Sequence, residues 1–160
     1  MVGVRNGSGI SAVAASMAAV LALLGCASGP KPTPVSGNIV VSARVNPSVS
    51  KRPSPLLVRV YELKAATAFN AADFISLYQR DQAELGADLV GREELTLSPG
   101  ETRPLAKTLS PDTRFLGVFA AYRDLEHARW RAVVPIPKPG KKMQIMIRAE
   151  ELAISAAVKP

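Results

Sequence analysis

Proline placement limits this chain more than any other feature of its sequence. Thirteen prolines are spread along 160 residues, and in the body of the chain the one long stretch free of them runs from residue 56 to 98. Proline removes a backbone donor and clashes with the preceding helical turn, so this spacing argues against a helical bundle and favours short elements joined by turns. The length suits a single core. Cys26 is the only cysteine; an intramolecular disulfide is therefore impossible, and no Cys or Cys/His cluster exists to hold zinc or an iron–sulfur centre.

Between the prolines the apolar residues fall at a period of two. Ile39, Val41, Ala43 and Val45 alternate with Ser42, Arg44 and Asn46, which marks a half-buried strand and places the start of the domain near Gly37. A second strand, Leu56–Leu63, follows the loop of residues 47–55, PSVSKRPSP. Ser98-Pro99-Gly100-Glu101 suits a type II turn, with strands expected on either side at Leu89–Leu97 and Thr102–Leu109. Residues 114–123 are apolar on both faces, as in a central strand. Residues 128–136 alternate Trp130, Ala132 and Val134 against Arg129, Arg131 and Val133. Met143, Ile145 and Ile147 open a last pair that Leu152, Ile154 and Ala156 complete. About eight short strands with regular turn signals predict an all-β, two-sheet sandwich.

One helical segment is expected between the second and third strands. Asn70 is placed to cap it, Asp73 to close a capping box, and Phe69 and Phe74 to form a hydrophobic staple. Phe74, Leu77 and Tyr78 then share a face, Asp81 and Glu84 repeat the cap pattern, and Gly86 ends the helix. That face is expected to pack on the sandwich rather than to bind a cofactor.

Residues 1–25 read as a secretory leader. Arg5 is their only charge, and residues 10–24 are an unbroken run of small and apolar side chains, too short to span a bilayer as a helix. Leu23-Leu24-Gly25-Cys26 resembles the bacterial lipobox. The resemblance implies a diacylglycerol on the Cys26 thiol, cleavage before it and an N-acyl chain on the new amine. Ala27, not Asp, comes next, which in such lipoproteins implies sorting to the outer membrane. An ordinary signal peptide with a chance cysteine is the alternative, although a free thiol exported to an oxidising compartment is a liability. Three acyl chains exceed what stable anchoring requires.

Behind Cys26, residues 26–36 are rich in proline and small residues and read as a semi-rigid tether, with the folded domain over residues 37–160. Losing the leader subtracts Arg5 alone and takes the net charge from +7 to +6. The surplus suits anionic lipid or an acidic partner, and a solvated surface without a dedicated partner explains it equally well. Nucleic acid is not expected, because aromatic and basic residues are not interleaved.

Catalysis has little to stand on. His127 is the only near-neutral base, and it lies in a polar turn. Asp73, Asp81 and Glu84 read as caps, and Glu93 and Glu94 beside Arg92 as surface pairs rather than a carboxylate dyad. No catalytic or metal-ligating residue is therefore assigned, and no Walker-type or Rossmann glycine pattern is present. A non-enzymatic alternative is a small-ligand-binding periplasmic lipoprotein with a pocket between sheet and helix, lined by Phe69, Phe74, Tyr78 and Trp130. A core of this size needs those aromatics in any case.

Three stretches carry a family resemblance: RPSPLLVRVYELK, FNAADFISLYQRDQAELGADLVGREELTLSPGE and FLGVFAAYRDLEHARWR. In this order behind a lipobox they resemble the TssJ (SciN) family, outer-membrane lipoproteins of the bacterial type VI secretion system. The resemblance implies a transthyretin-like sandwich with a helical insertion, facing the periplasm. It also implies a partner, the periplasmic domain of the inner-membrane protein TssM, and a role in assembling the membrane complex.

The loop of residues 47–55 is the candidate contact. Pro47, Pro53 and Pro55 restrict its conformations, so docking costs less entropy. Val49 offers an apolar anchor outside the strand pattern, and Lys51 and Arg52 can meet carboxylates. A solvated connection between strands is the bland alternative. In the family the corresponding loop is implicated in binding TssM, which points to Val49, Ser50, Lys51, Arg52 and Pro53.

Overall fold

Val58 and Val60 of the second strand enter one apolar core, while Tyr61 and Leu63 of the same strand enter another. This two-sided burial organises the fold. The computed structural model describes residues 1–3 and 29–159, so Cys26 and the expected leader beyond residue 3 lie outside the described residues. Eight strands follow in order: β1 (Thr33–Val41), β2 (Leu56–Leu63), β3 (Leu89–Leu97), β4 (Thr102–Leu109), β5 (Phe115–Ala120), β6 (Arg131–Pro135), β7 (Met143–Ala149) and β8 (Ile154–Lys159). They form two four-stranded sheets, β4-β1-β7-β8 and β3-β2-β5-β6. All neighbours are antiparallel except β1 and β7, which run parallel with Val35 opposite Met143.

The two sheets close on the larger core, which takes Ile39 from β1, Val58 from β2, Val118 from β5 and Ile145 from β7. The second core lies on the outer face of β2 and β5, beneath helices α1 (Thr67–Ala71) and α2 (Phe74–Leu85). This explains why β2 and β5 are buried along almost their whole length, as the doubly apolar pattern of β5 predicts. Among the described residues no helix is long and apolar enough to cross a membrane.

Several local expectations are corrected. β1 begins at Thr33, not near Gly37, so the last residues assigned to the tether belong to the sheet. Pro34 is tolerated because it pairs with Thr108 of β4 one position before β7 joins at Val35. At the other end β1 stops at Val41. Ala43 is exposed in a turn closed by Val45 N–H donating to the Ser42 carbonyl at 3.1 Å, so it does not continue the alternation. Gly37 is required by packing, because a Cβ there would overlap the Ile145 carbonyl oxygen of β7.

The helical insertion is two helices rather than one. Asn70 sits inside α1, and the cap of α2 is Asp73, whose carboxylate accepts from Ser76 N–H at 2.9 Å. Asp81 is not a cap either. It is buried and receives the Tyr61 hydroxyl at 2.8 Å and Arg92 Nη1 at 2.7 Å, with Arg59 Nη1 at 3.4 Å. Arg59 also donates to the Leu77 and Tyr78 carbonyls, both at 2.9 Å, just before non-helical backbone at Arg80 interrupts the helix. These bonds fix α2 to β2 and β3, and stacking of Phe74 on Phe119, with centroids 5.0 Å apart, supplies the apolar half.

Candidate docking site

Strand directions sort the loops into two ends of the sandwich. β1 runs from Thr33 at one end to Val41 at the other, and the antiparallel registers place residues 42–55, 98–101, 121–130 and 150–153 together at the Val41 end. Residues 31–33, which come seven positions or fewer after Cys26, lie at the opposite end, against the turn at Gly140. The candidate loop is therefore held about 30 Å of strand away from the point where the tether enters the domain.

Asn46 holds the loop in place. It is 3% exposed, with φ at 49°, a left-handed conformation that Asn tolerates better than most residues. Its backbone N–H donates to the Glu151 carbonyl at 3.0 Å, its Nδ2 to the Pro55 carbonyl at 2.8 Å, and its Oδ1 accepts from Arg123 N–H at 2.8 Å. One residue, through its side chain and its backbone N–H, thus ties together the β1–β2, β5–β6 and β7–β8 loops.

Beyond this staple the loop closes on itself. Lys51 N–H donates to the Ser48 carbonyl and Ser48 N–H to the Arg52 carbonyl, both at 2.8 Å, with Lys51 at φ 62°. This is the pattern of a three-residue loop in which a β-turn is followed by a left-handed residue. Arg52 N–H also reaches Ser48 Oγ at 3.2 Å. Val49 and Ser50 form the tip, and Val49 is fully exposed at 104%. Ser50, Lys51, Arg52 and Pro53 are exposed beside it, while Ser54 is buried. The residues named from the sequence thus form one solvent-facing hook on a rigid base.

A groove of about 720 Å³ runs beside the hook. Pro47, Ser48, Val49 and Lys51 form one wall, and Arg123, Asp124, Glu151 and Leu152 form the other. Its charges are mixed, so it suits a polypeptide segment with charges of both signs better than a uniformly acidic ligand. Sequence inspection missed the second wall, because it comes from loops distant in the chain. It also missed Asn46, whose one signal was the Asn-Pro dipeptide of a turn.

The residues weighed for catalysis are dispersed. Exposed His127 bonds Asp124 through Nδ1 at 2.8 Å, and that carboxylate holds the imidazole above its ordinary pKa. Glu94 pairs with Arg59, and Glu93 with Lys107. Lys107 also bonds Glu62, as do Ser110 N–H and Thr113 Oγ1, which seals the base of the core. The suggested ligand pocket is filled by its own lining. Phe74 and Trp130 meet edge to face at 5.4 Å, Phe74 and Tyr78 stack at 5.8 Å, and Phe69 packs on Tyr61 at 5.5 Å.

A profile of the type VI secretion lipoproteins, the family of VasD, EvfM and TssJ, matches residues 33–152. The chain belongs to this type VI secretion lipoprotein family. The crystal structure of the type VI lipoprotein TssJ1 from Pseudomonas aeruginosa superposes with a TM-score of 0.77 at 40% identity, over 81% of this chain and 98% of that one. Lip from Serratia marcescens, described as a membrane-bound component of the type VI secretion system, gives 0.71 at 26% identity, over 78% and 96%. A chain in a type VI membrane complex shares the fold at 0.64 and 24% identity, over 79% and 98%. No curated protein matches the chain significantly.

The matched range follows the architecture. The profile spans the whole of β1 to β7, including Asn46 and the hook, and begins after Cys26. Almost all of the TssJ1 chain is matched although about a fifth of the present chain is not.

Proposed function

We propose that this type VI secretion lipoprotein is anchored in the outer membrane, on its periplasmic face, by the diacylglycerol and N-acyl chains on Cys26. Its hook, residues 49–53, binds the periplasmic domain of the inner-membrane protein TssM and so helps to assemble the membrane complex. The role is that of a non-catalytic adaptor.

One observation carries the proposal. A fully exposed apolar side chain, Val49, sits at the tip of a loop pinned by buried Asn46, at the end of the sandwich opposite the tether. Preorganised loops with an apolar anchor and flanking cations bind with little ordering cost. A lipid anchor at the far end leaves that loop facing away from the bilayer and towards a partner rooted in the other membrane. Titration of the domain into the TssM periplasmic domain by calorimetry tests this. Saturable binding is expected, and no heat at micromolar concentrations would count against it.

A further inference from the structure

The end of the sandwich that receives the tether has its own chemical character. Lys138-Pro139-Gly140-Lys141 forms a turn between β6 and β7, closed by Lys141 N–H on the Lys138 carbonyl at 3.1 Å with Gly140 at φ 78°, as a type II turn requires. Gly140 N–H donates to Thr33 Oγ1 at 2.7 Å, and a Cβ on Gly140 would lie 3.1 Å from Lys31 Cβ. The turn is thus fastened to the first residue of β1, where the tether ends. Lys138, Lys141, Lys142 and Lys159 line one open cavity of about 310 Å³ that has no carboxylate in its wall.

All four, and Lys31 beside them, are exposed. Among the described residues the only lysine in an ion pair is Lys107. Of the acids at this end, Asp112 follows β4, on the far side of β1 from β7 and β8, Asp88 precedes β3 in the other sheet, and Glu62 is already held by Lys107, Ser110 and Thr113. The opposite end mixes Lys51, Arg52 and Arg123 with Asp124, Glu150 and Glu151. The excess positive charge is therefore gathered at the base of the tether.

We propose that Lys31, Lys138, Lys141, Lys142 and Lys159 form a docking surface for the phosphate headgroups of an anionic bilayer, orienting the domain with its hook away from the membrane. The proposal rests on acylation of Cys26 for its setting. Seven positions separate Cys26 from Thr33, about 25 Å when fully extended. A tether this short keeps the lysines at high effective concentration near the headgroups. Lysine ammonium groups suit such a surface because they pair with phosphates without directional demands.

The test uses the unacylated chain from Gly29 onwards, which carries all eight strands and both apolar cores. It is co-sedimented with vesicles of phosphatidylethanolamine containing about a quarter phosphatidylglycerol, and separately with neutral phosphatidylcholine vesicles. Binding is expected on the anionic vesicles only, weakening as salt rises. Each lysine near such a surface contributes about fivefold to partitioning, so Lys138→Gln/Lys141→Gln/Lys142→Gln should bind at least tenfold more weakly with an unchanged melting temperature. Arg44→Gln/Arg129→Gln, which removes charge at the other end, should bind as the wild type does. Equal binding by the triple variant, equal binding to neutral vesicles, or none to anionic vesicles at low salt would overturn the proposal. So would saturable displacement by inorganic phosphate at constant ionic strength, which would indicate a phosphate site instead. None of these outcomes depends on Cys26, whose acylation is read separately by fatty-acid labelling.

Discussion

The side-chain Oδ1 of Asn46 accepts a 2.8 Å hydrogen bond from the backbone N–H of Arg123, joining the hook to the β5–β6 loop. Removing that side chain leaves two part-buried backbone groups, Arg123 N–H and the Pro55 carbonyl, without its hydrogen bonds, and alanine is strained at φ 49°. Asn46→Ala should therefore lose about 3 kcal/mol in urea unfolding. Partner affinity should fall as well, although Asn46 is too buried to touch a partner. A full loss of stability with unchanged affinity would show that docking does not need the loop held in place.

Gly37→Ala tests the parallel β1–β7 contact. The added methyl meets a backbone carbonyl rather than a flexible side chain, so the strands must separate. A loss of about 3 kcal/mol is expected by chemical denaturation. A neutral substitution would mean that β1 and β7 pack less closely than described.

The fold was largely legible because proline and glycine mark its turns. Pro99-Gly100 fixed β3 and β4 to the residue, and Gly100 has the positive φ, 76°, that a type II turn demands. Strand order was not legible. Nothing local in residues 35–41 says that β7, a hundred residues later, will run parallel beside them. At the candidate site, Val49 and its cations were visible because they break the strand period. Asn46 and Asp81 were hidden because a polar residue in a loop or at a helix end reads as solvated, and only tertiary contacts bury it. The misplaced cap has a similar origin: Asn70 and Asp73 both have a capping side chain, and burial of Phe69 in the second core draws Asn70 into α1 instead.

Asp81 gives the domain an acid-sensitive joint. Burial opposes its ionisation, but Arg92, the Tyr61 hydroxyl and Arg59 outweigh burial and hold its carboxyl below the ordinary range. A depressed folded pKa contributes stability above the unfolded value and loses it as pH falls through the folded one. Glu62 is also held down despite its burial, by Ser110 N–H and Lys107. Melting temperature should thus drop as pH falls below about 4. Asp81→Asn should cost about 3 kcal/mol at neutral pH and shallow the acid limb. An acid limb as steep in the variant as in the wild type would rule out Asp81 as its source.

Cys26 should be the acylated residue. In cells given a clickable fatty acid, the full chain should be labelled and Cys26→Ser should not be. Equal labelling of both would remove the anchor from the account.

The hook itself is the most direct test. Replacing residues 49–52 with glycine and serine removes the apolar tip and both cations while leaving Asn46 and its bonds untouched. Calorimetric titration of this variant into the TssM periplasmic domain should show affinity weakened by about 2 kcal/mol or more, as for loss of a hot spot, with little change in melting temperature. Unchanged affinity would contradict the account and move the interface away from the hook.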